Sequence, residues 1–358
     1  MKKIAIIYGT RPQIIKANML VKQFEKHPDE YRLVLIGTGQ HYSPELAGNI
    51  YKELGLRKPD YQLTVDVDGS PAANIGYLII QCAALLEEVR PDLVCVIGDT
   101  NSTLAGAIAA KRSGFKLAHI EAGLRSHDNS MPEEQNRILA DTMADLRFHI
   151  KLRSTNDPGF YKNRGDIEVG DLMEESFWHY SKKHPAPAAE YWLNKIKDHP
   201  YSLMTIHREE NTSKERLTEI ISAVGFLSQT TVWPVHPRIS NLPYFEEIKK
   251  LAPKILYVDP LGYLETLSIL NACKAVLTDS GGLYREAIWA DKPVVVIRTS
   301  TEFNTSRLVD FVTREAIVTK YYETMLEYSK QENCGVHTQT MHPASELILQ
   351  AISEYLRS

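Results

Sequence analysis

Short runs of β-branched and aliphatic residues alternate with longer segments of helical period along most of the chain. This alternation is the strongest constraint on the fold, because it marks strand–helix–strand units and hence parallel sheets covered on both faces. Strands are predicted over 4–8, 33–36, 93–97, 117–120 and 146–150, with helices over 14–24, 44–54, 75–89, 103–111 and 133–144. Between 153 and 187 the sequence turns to loop-forming residues such as Asn156-Asp157-Pro158-Gly159. Alternation then resumes, with strands over 202–206, 232–235, 255–258, 275–277 and 294–297 and helices near 213–228, 244–251, 263–272 and 282–290. Two doubly wound α/β domains follow, over 1–170 and 171–341, and 358 residues suffice for two such cores. A final helix over 342–358 carries an apolar stripe at Leu347, Ile348, Ala351, Ile352 and Leu356, which is expected to pack back on the first domain.

Several classes of function lose ground on composition. The 41 basic and 45 acidic residues are interspersed, for a net charge of −4, so no basic stripe calls for nucleic acid. No apolar run near 18 residues is evident, and the stretch from Ile4 to Tyr8 is too short for a secretory signal, so neither a membrane span nor export is expected. Cys82, Cys95, Cys273 and Cys334 are widely spaced with no CxxC pair, which argues against a metal knuckle or a disulfide framework. The expected setting is the reducing cytoplasm.

In open parallel sheets ligands lie outside the carboxyl ends of the strands, and an interdomain cleft is the favoured place. The polar residues just after each strand are therefore the candidates. The first strand runs into Gly9-Thr10-Arg11-Pro12-Gln13-Ile14-Ile15-Lys16, where Arg11 and Lys16 could face an anion near a helix start; a surface Arg and a snorkelling Lys is the alternative. This is not the GxGxxG dinucleotide fingerprint. Asp99 follows the strand over 93–97 and could be a helix cap or a catalytic carboxylate. Glu121 sits at the end of the next strand in His119-Ile120-Glu121-Ala122-Gly123-Leu124-Arg125. Glu133 opens the helix that also carries Arg137, and the two could form a surface ion pair. Three carboxylates at one sheet edge need cations or a ligand to balance them, and such crowding divides acid from base roles. Proton transfer is the chemistry this favours.

In the second domain His207 and His236 stand at strand ends, each with an Arg nearby, and suit either a structural role or anion binding and acid–base work. Thr278-Asp279-Ser280-Gly281-Gly282 precedes a helix bearing Glu286. Exposed N–H groups there suit a phosphate and the glutamate suits sugar hydroxyls, although a capped Gly-rich turn has the same residues. A nucleoside diphosphate fits this pattern.

Together these residues resemble the non-hydrolysing UDP-N-acetylglucosamine 2-epimerase family. The resemblance rests on GTRPQIIKA at 9–17, TGQHY at 38–42, GDTNSTLAGA at 98–107, HIEAGLRS at 119–126, MPEEQNR at 131–137, VGDLM at 169–173, TIHREEN at 205–211, VHPR at 235–238, DPLGYLE at 259–265 and TDSGG at 278–282. It implies two Rossmann-like domains around a central cleft, the glycosyltransferase B fold. It also implies interconversion of UDP-GlcNAc and UDP-ManNAc through a 2-acetamidoglucal, with neither NAD nor a metal, by a homodimer acting on a UDP-sugar. By matching position, Asp99, Glu121, Glu133 and His207 are the implied catalytic residues. Arg11, Lys16, Arg137, His236, Ser280, Gly281, Gly282 and Glu286 are the implied substrate contacts, and Gln40 and His41 belong to an allosteric site in some members. RPQ at 11–13, GDTNSTLAG and VGDLM are also similar to the subgroup acting on UDP-2,3-diacetamido glucuronic acid, whose C6 carboxylate would want a cation such as Arg285. Glycosyltransferase B transferases and non-catalytic sensors bind the same donors on this fold; the carboxylate set at 99, 121 and 133 is what a transferase would not need.

Overall fold

The computed structural model describes residues 1–39, 50–64, 70–151, 165–182, 186–196, 199–298, 307–309, 311–330 and 342–357. The chain divides into two compact units, Met1–Ser176 with Thr340–Ser358, and Phe177–Gln339. The division falls inside a helix rather than in the loop-like sequence near 170, because that stretch ends in a regular helix over Leu172–Ser181.

The first unit runs β1 (Lys2–Tyr8), α1 (Arg11–Phe24), β2 (Tyr31–Gly37), β3 (Tyr61–Gln62), α2 (Pro71–Val89), β4 (Leu93–Ile97), α3 (Asn101–Arg112), β5 (Leu117–Ala122), α4 (Pro132–Met143), β6 (Leu146–His149), β7 (Asp166–Glu168) and the start of α5 (Leu172–Ser181). Its sheet has the order β3-β2-β1-β4-β5-β6-β7, and its pairings are parallel. Ile4 to Tyr8 and Leu93 to Ile97 are buried throughout, as continuous apolar runs covered on both faces must be. β3 and β7 were not expected: at two and three residues they are too short for any period to show.

The second unit continues with α6 (Pro187–Ile196), β8 (Tyr201–Thr205), α7 (Lys214–Gly225), β9 (Thr230–Pro234), α8 (Pro237–Ser240), α9 (Phe245–Lys249), β10 (Ile255–Val258), α10 (Tyr263–Ala272), β11 (Ala275–Thr278), α11 (Gly281–Trp289), β12 (Val294–Val296) and α12 (Arg314–Lys330). Its parallel sheet has the order β10-β9-β8-β11-β12, with Trp233, Met204, Leu277 and Val295 in one apolar core. α13 (Ala344–Arg357) returns to the first unit and packs against α1. It buries Ile348 and Ile352 as the stripe predicts, with Leu349 in place of Leu347 and Leu356, and Ser353 Oγ meets Tyr31 Oη at 2.5 Å.

Both sheets reverse their winding once, between β1 and β4 in the first unit and between β8 and β11 in the second. At such a switch point the two following helices leave on opposite faces and open a crevice at the strand ends. In the first unit the buried side chain of Gln13 spans it. Gln13 Oε1 accepts from the N–H groups of Gly9 and Thr10 at 2.7 and 3.0 Å. Gln13 Nε2 donates to the Ile97 carbonyl at 2.5 Å and lies 3.0 Å from Thr103 Oγ1.

α2 corrects one expectation. An 18-residue window of its 19 residues has a mean hydropathy of 1.3, long and apolar enough by length and composition to cross a membrane, although Asn74, Gly76 and Gln81 interrupt the run. Leu78, Cys82, Leu85, Leu86 and Val89 are buried, whereas Ala73, Tyr77, Ile80 and Ala84 form an exposed stripe.

Gly9 lies at the switch point where Thr38 Oγ1 and Ser102 Oγ meet at 2.6 Å, and a methyl group on Gly9 would overlap both hydroxyls. Gly9→Ala is expected to destabilise the first unit by about 1–3 kcal/mol, the usual cost of overpacking. Urea unfolding followed by circular dichroism should show a lower midpoint with an unchanged slope.

Candidate active site

At the carboxyl edge of the first sheet two backbone irregularities set out two carboxylates. Gly98 takes a left-handed φ of 67° after β4, as glycine does at little cost, and hands the chain to Asp99. Glu121 itself has φ 68°, where a side chain is strained, at a bulge in β5 between Ile120 and Ala122. A Cβ on Gly98 would lie 3.5 Å from Glu121 Oε2, so the Glu121 carboxylate rests close over the Gly98 turn.

Each of these carboxylates has its own cation. Lys16, in the second turn of α1, pairs with Glu121; the two side chains are 12% and 10% exposed. Arg137 of α4 pairs with Asp99 at 2.5 Å and with Glu134 at 3.0 Å. Asn136 Nδ2 donates to the Asp99 carbonyl at 2.9 Å, so neighbouring residues of α4 hold both ends of Asp99. Arg137 does not lie on a solvent face, as the alternative of a surface pair with Glu133 would have it: it is buried and turned to Asp99 and Glu134, because α4 presents it to the sheet. Glu133 is exposed in the first turn of α4, one turn before Asn136 and Arg137. Arg11 is exposed at the start of α1. Gln40 and His41 lie outside the described residues.

Glu134 and Asp141 were not singled out from sequence. Glu134 accepts from Ser126 N–H at 2.8 Å, Ser126 Oγ at 3.0 Å and His127 N–H at 3.2 Å. Burial opposes its ionisation, but these bonds and the Arg137 guanidinium hold its carboxyl below the usual range. Asp141 accepts from His119 Nδ1 at 2.6 Å, Arg125 at 2.7 Å and Gly123 N–H at 3.1 Å. Against its burial, the charges and bonds of His119 and Arg125 bring it down to about 2.

In the second unit Asp279, wholly buried at the end of β11, organises the strand ends. Its carboxylate accepts from the N–H groups of His207 at 3.1 Å and Arg208 at 2.9 Å, and from Asn211 Nδ2 at 3.1 Å. His207 Nδ1 stands 3.1 Å from the same carboxylate, and its ring is 40% exposed, with its centre 6.0 Å from that of His236. His236 Nδ1 accepts from Arg238 N–H at 3.1 Å. Ser280 caps α11, its Oγ accepting from Leu283 N–H at 3.4 Å. Gly281 and Gly282 are partly exposed at the helix start, in ordinary helical conformation; what they supply is a first turn without side chains over its N–H groups. Glu286 is buried one turn further on, and the Arg285 guanidinium lies over the Trp289 ring at 5.0 Å.

The chain belongs to the UDP-N-acetylglucosamine 2-epimerase family, whose sequence profile matches residues 22–350. A Methanococcus maripaludis UDP-N-acetylglucosamine 2-epimerase homolog is 38% identical over 84% of this chain and 85% of its own. A UDP-2,3-diacetamido-2,3-dideoxy-D-glucuronate 2-epimerase from Pseudomonas aeruginosa is 36% identical over 84% of both chains. Among solved structures, the Methanocaldococcus jannaschii UDP-GlcNAc 2-epimerase in complex with UDP-GlcNAc and UDP superposes with a TM-score of 0.86 at 30% identity, covering 98% of this chain and 99% of its own.

Asp279→Asn is expected to cost about 3–5 kcal/mol at neutral pH, the range for removing one member of a buried charged network. Burial pushes the Asp279 carboxyl up, but His207, Arg208 and Asn211 outweigh it and hold its pKa below the usual value. The stabilisation is therefore complete above the unfolded pKa of about 3.9 and is lost as pH falls through the lowered folded value. Denaturant midpoints of wild type and variant should differ at pH 7 and converge in acid.

Proposed function

We propose that the protein is a UDP-N-acetylglucosamine 2-epimerase, interconverting UDP-GlcNAc and UDP-ManNAc. The observation that carries this reading is the pair of confined carboxylates, Asp99 and Glu121, each matched to one cation at a switch point. A C2 proton of the sugar is weakly acidic, so its removal needs a positioned base together with positive charge around the departing diphosphate. A carboxylate takes the C2 proton as the C1–O bond to UDP breaks, giving a 2-acetamidoglucal and UDP. UDP then re-adds at C1 as an acid returns a proton to the opposite face of C2. Asp99, Glu121 and Glu133 serve these transfers, with Lys16, Arg137 and Arg11 on the sugar side. Within the second unit, the start of α11 at Ser280, Gly281 and Gly282 is the candidate phosphate cradle, His207 and His236 are candidate partners for the anion, and Glu286 is the candidate acceptor for ribose hydroxyls.

A second substrate, UDP-2,3-diacetamido-2,3-dideoxy-D-glucuronate, is favoured by the Pseudomonas relative at 36% identity. The buried free thiols Cys82, Cys95 and Cys273, the first two pushed up to about 12 by burial, suit a reducing cytoplasm and lie apart from this chemistry.

Incubation with UDP-GlcNAc in deuterated water should give UDP-ManNAc with deuterium at C2, read by NMR. Release of free sugar, or no exchange with either UDP-sugar, would sink the reading. Asp99→Asn and Glu121→Gln should each fold and lose roughly 10²-fold or more in kcat, the scale of general acid–base catalysis.

The reading extends to a homodimer built on the exposed α2 stripe. Ala73, Tyr77, Ile80 and Ala84 form an apolar stripe that an antiparallel two-fold pairing would set with 73 opposite 84 and 77 opposite 80. The same pairing sets Glu87 and Glu88 of one copy against the positive N-terminal turn of the other helix. Light scattering should report a dimer for the wild type and a monomer for Ile80→Lys; a monomeric wild type refutes the homodimer.

A further inference from the structure

His119 is fully buried in β5, two residues before Glu121, and both of its ring nitrogens face acceptors. Nδ1 is 2.6 Å from Asp141 Oδ1 and Nε2 is 2.7 Å from the Gly98 carbonyl oxygen. A neutral imidazole carries one N–H and cannot satisfy both. The Arg125 guanidinium and the Gly123 N–H on its other oxygen favour the ionised form of Asp141, so the proton between the two groups sits on the ring. The ring is therefore an imidazolium.

The position of this charge matters as much as its sign. The Gly98 peptide is held on both sides by β5: its N–H donates to the Ile120 carbonyl at 2.9 Å, and its carbonyl accepts from His119. Gly98 sets the direction of Asp99, and Ile120 is the last residue before the strained Glu121. One ring thus braces the two strand ends that carry the two reactive carboxylates.

We propose that His119 is a positioning residue, an imidazolium held between Asp141 and the Gly98 carbonyl that sets the alignment of Asp99 and Glu121. The inference deepens the epimerase reading and rests on it for its catalytic consequence. Burial alone would lower the basicity of His119, but the charge and hydrogen bond of Asp141, the Gly98 carbonyl and the charge of Glu121 outweigh it and hold its pKa above the ordinary value. The charged groups around the pair are Glu121 on β5, Arg125 in the loop after it and Asp141 on α4. Arg147 on β6 is also close, reaching the Asp141 carbonyl at 3.5 Å. A raised folded pKa makes the bond fully present below about pH 6.5 and lost only as pH rises through the higher folded value.

The direct test is the ring nitrogen shifts of His119 in the full-length, 15N-histidine-labelled protein, assigned by comparison with His119→Gln. Two protonated nitrogens from pH 6 to pH 8 are expected, and a neutral tautomer at pH 7.5 overturns the proposal. In kinetics, His119→Gln should lower kcat roughly 10²-fold, the scale of an ångström-sized misalignment. KM and calorimetric UDP affinity should stay within about threefold, since no substrate contact is removed. An unchanged kcat, or an equal loss in UDP affinity, overturns it. Should His119→Gln fail to fold, Asp141→Asn provides the second variant. With the counter-charge gone, burial lowers the basicity of the ring, so the variant's kcat should begin to fall with rising pH at a lower pH than in the wild type, and a pH profile that superimposes on the wild type's refutes the role. Failure of the epimerase reading is separate, because wild type inactive on both UDP-sugars would leave the nitrogen shifts unaffected.

Discussion

At a switch point a parallel sheet loses the helix that would cover its strand ends, and the backbone groups there need side chains as partners. That requirement shapes both units. Gln13 bridges β1 and β4 in the first, taking two N–H groups on its carbonyl oxygen and giving its amide to the Ile97 carbonyl. Asp279 bridges β8 and β11 in the second, collecting the N–H groups of His207 and Arg208 and the Asn211 amide. The choice between an amide and a carboxylate follows the groups to be served. The first crevice presents donors and acceptors together, whereas the second presents donors, which an anion accepts more strongly. A crevice so braced is rigid at its rim, which preorganised polar groups require.

How much of this was legible in the chain follows from the range of each interaction. Apolar runs such as Ile4 to Tyr8 declare buried parallel strands because every residue of the run shares one environment. Gly98, Asp99 and Glu121 could be found because strand ends bind ligands as a rule of this architecture. Asp141 could not. Its partner His119 lies 22 residues away on another element, and α4 inverts ordinary amphipathicity, with Glu134, Asn136, Arg137 and Asp141 buried while Ile138 and Leu139 are exposed. Charges spaced at 134, 137 and 141 normally mark the solvent face of a helix. The exposed Ile138 and Leu139 between them were the available signal that the face is reversed. α12 was missed for a related reason: Ile317, Tyr321 and Thr324 bury a narrow face in an otherwise polar segment, and packing rather than periodicity makes it a helix.

The ion pairs of the first unit also sort by exposure. His119 and Asp141 are sealed, with side chains 0% and 8% exposed, and serve the frame. The pairs bearing Asp99 and Glu121 are less fully covered: Asp99 is 29% exposed opposite Arg137 at 5%, and Glu121 and Lys16 keep 10% and 12%. A sealed pair cannot exchange its partner without leaving a buried charge uncompensated, at a cost of several kcal/mol. A pair at the rim can give up its cation to an arriving anion at far smaller cost, because water and ligand both screen the exchange. Lys16 and Arg137 neutralise Glu121 and Asp99 at the edge of the sheet. The net charge of −4 records none of this, since Asp99 and Glu121 are each answered by a cation from a distant part of the chain.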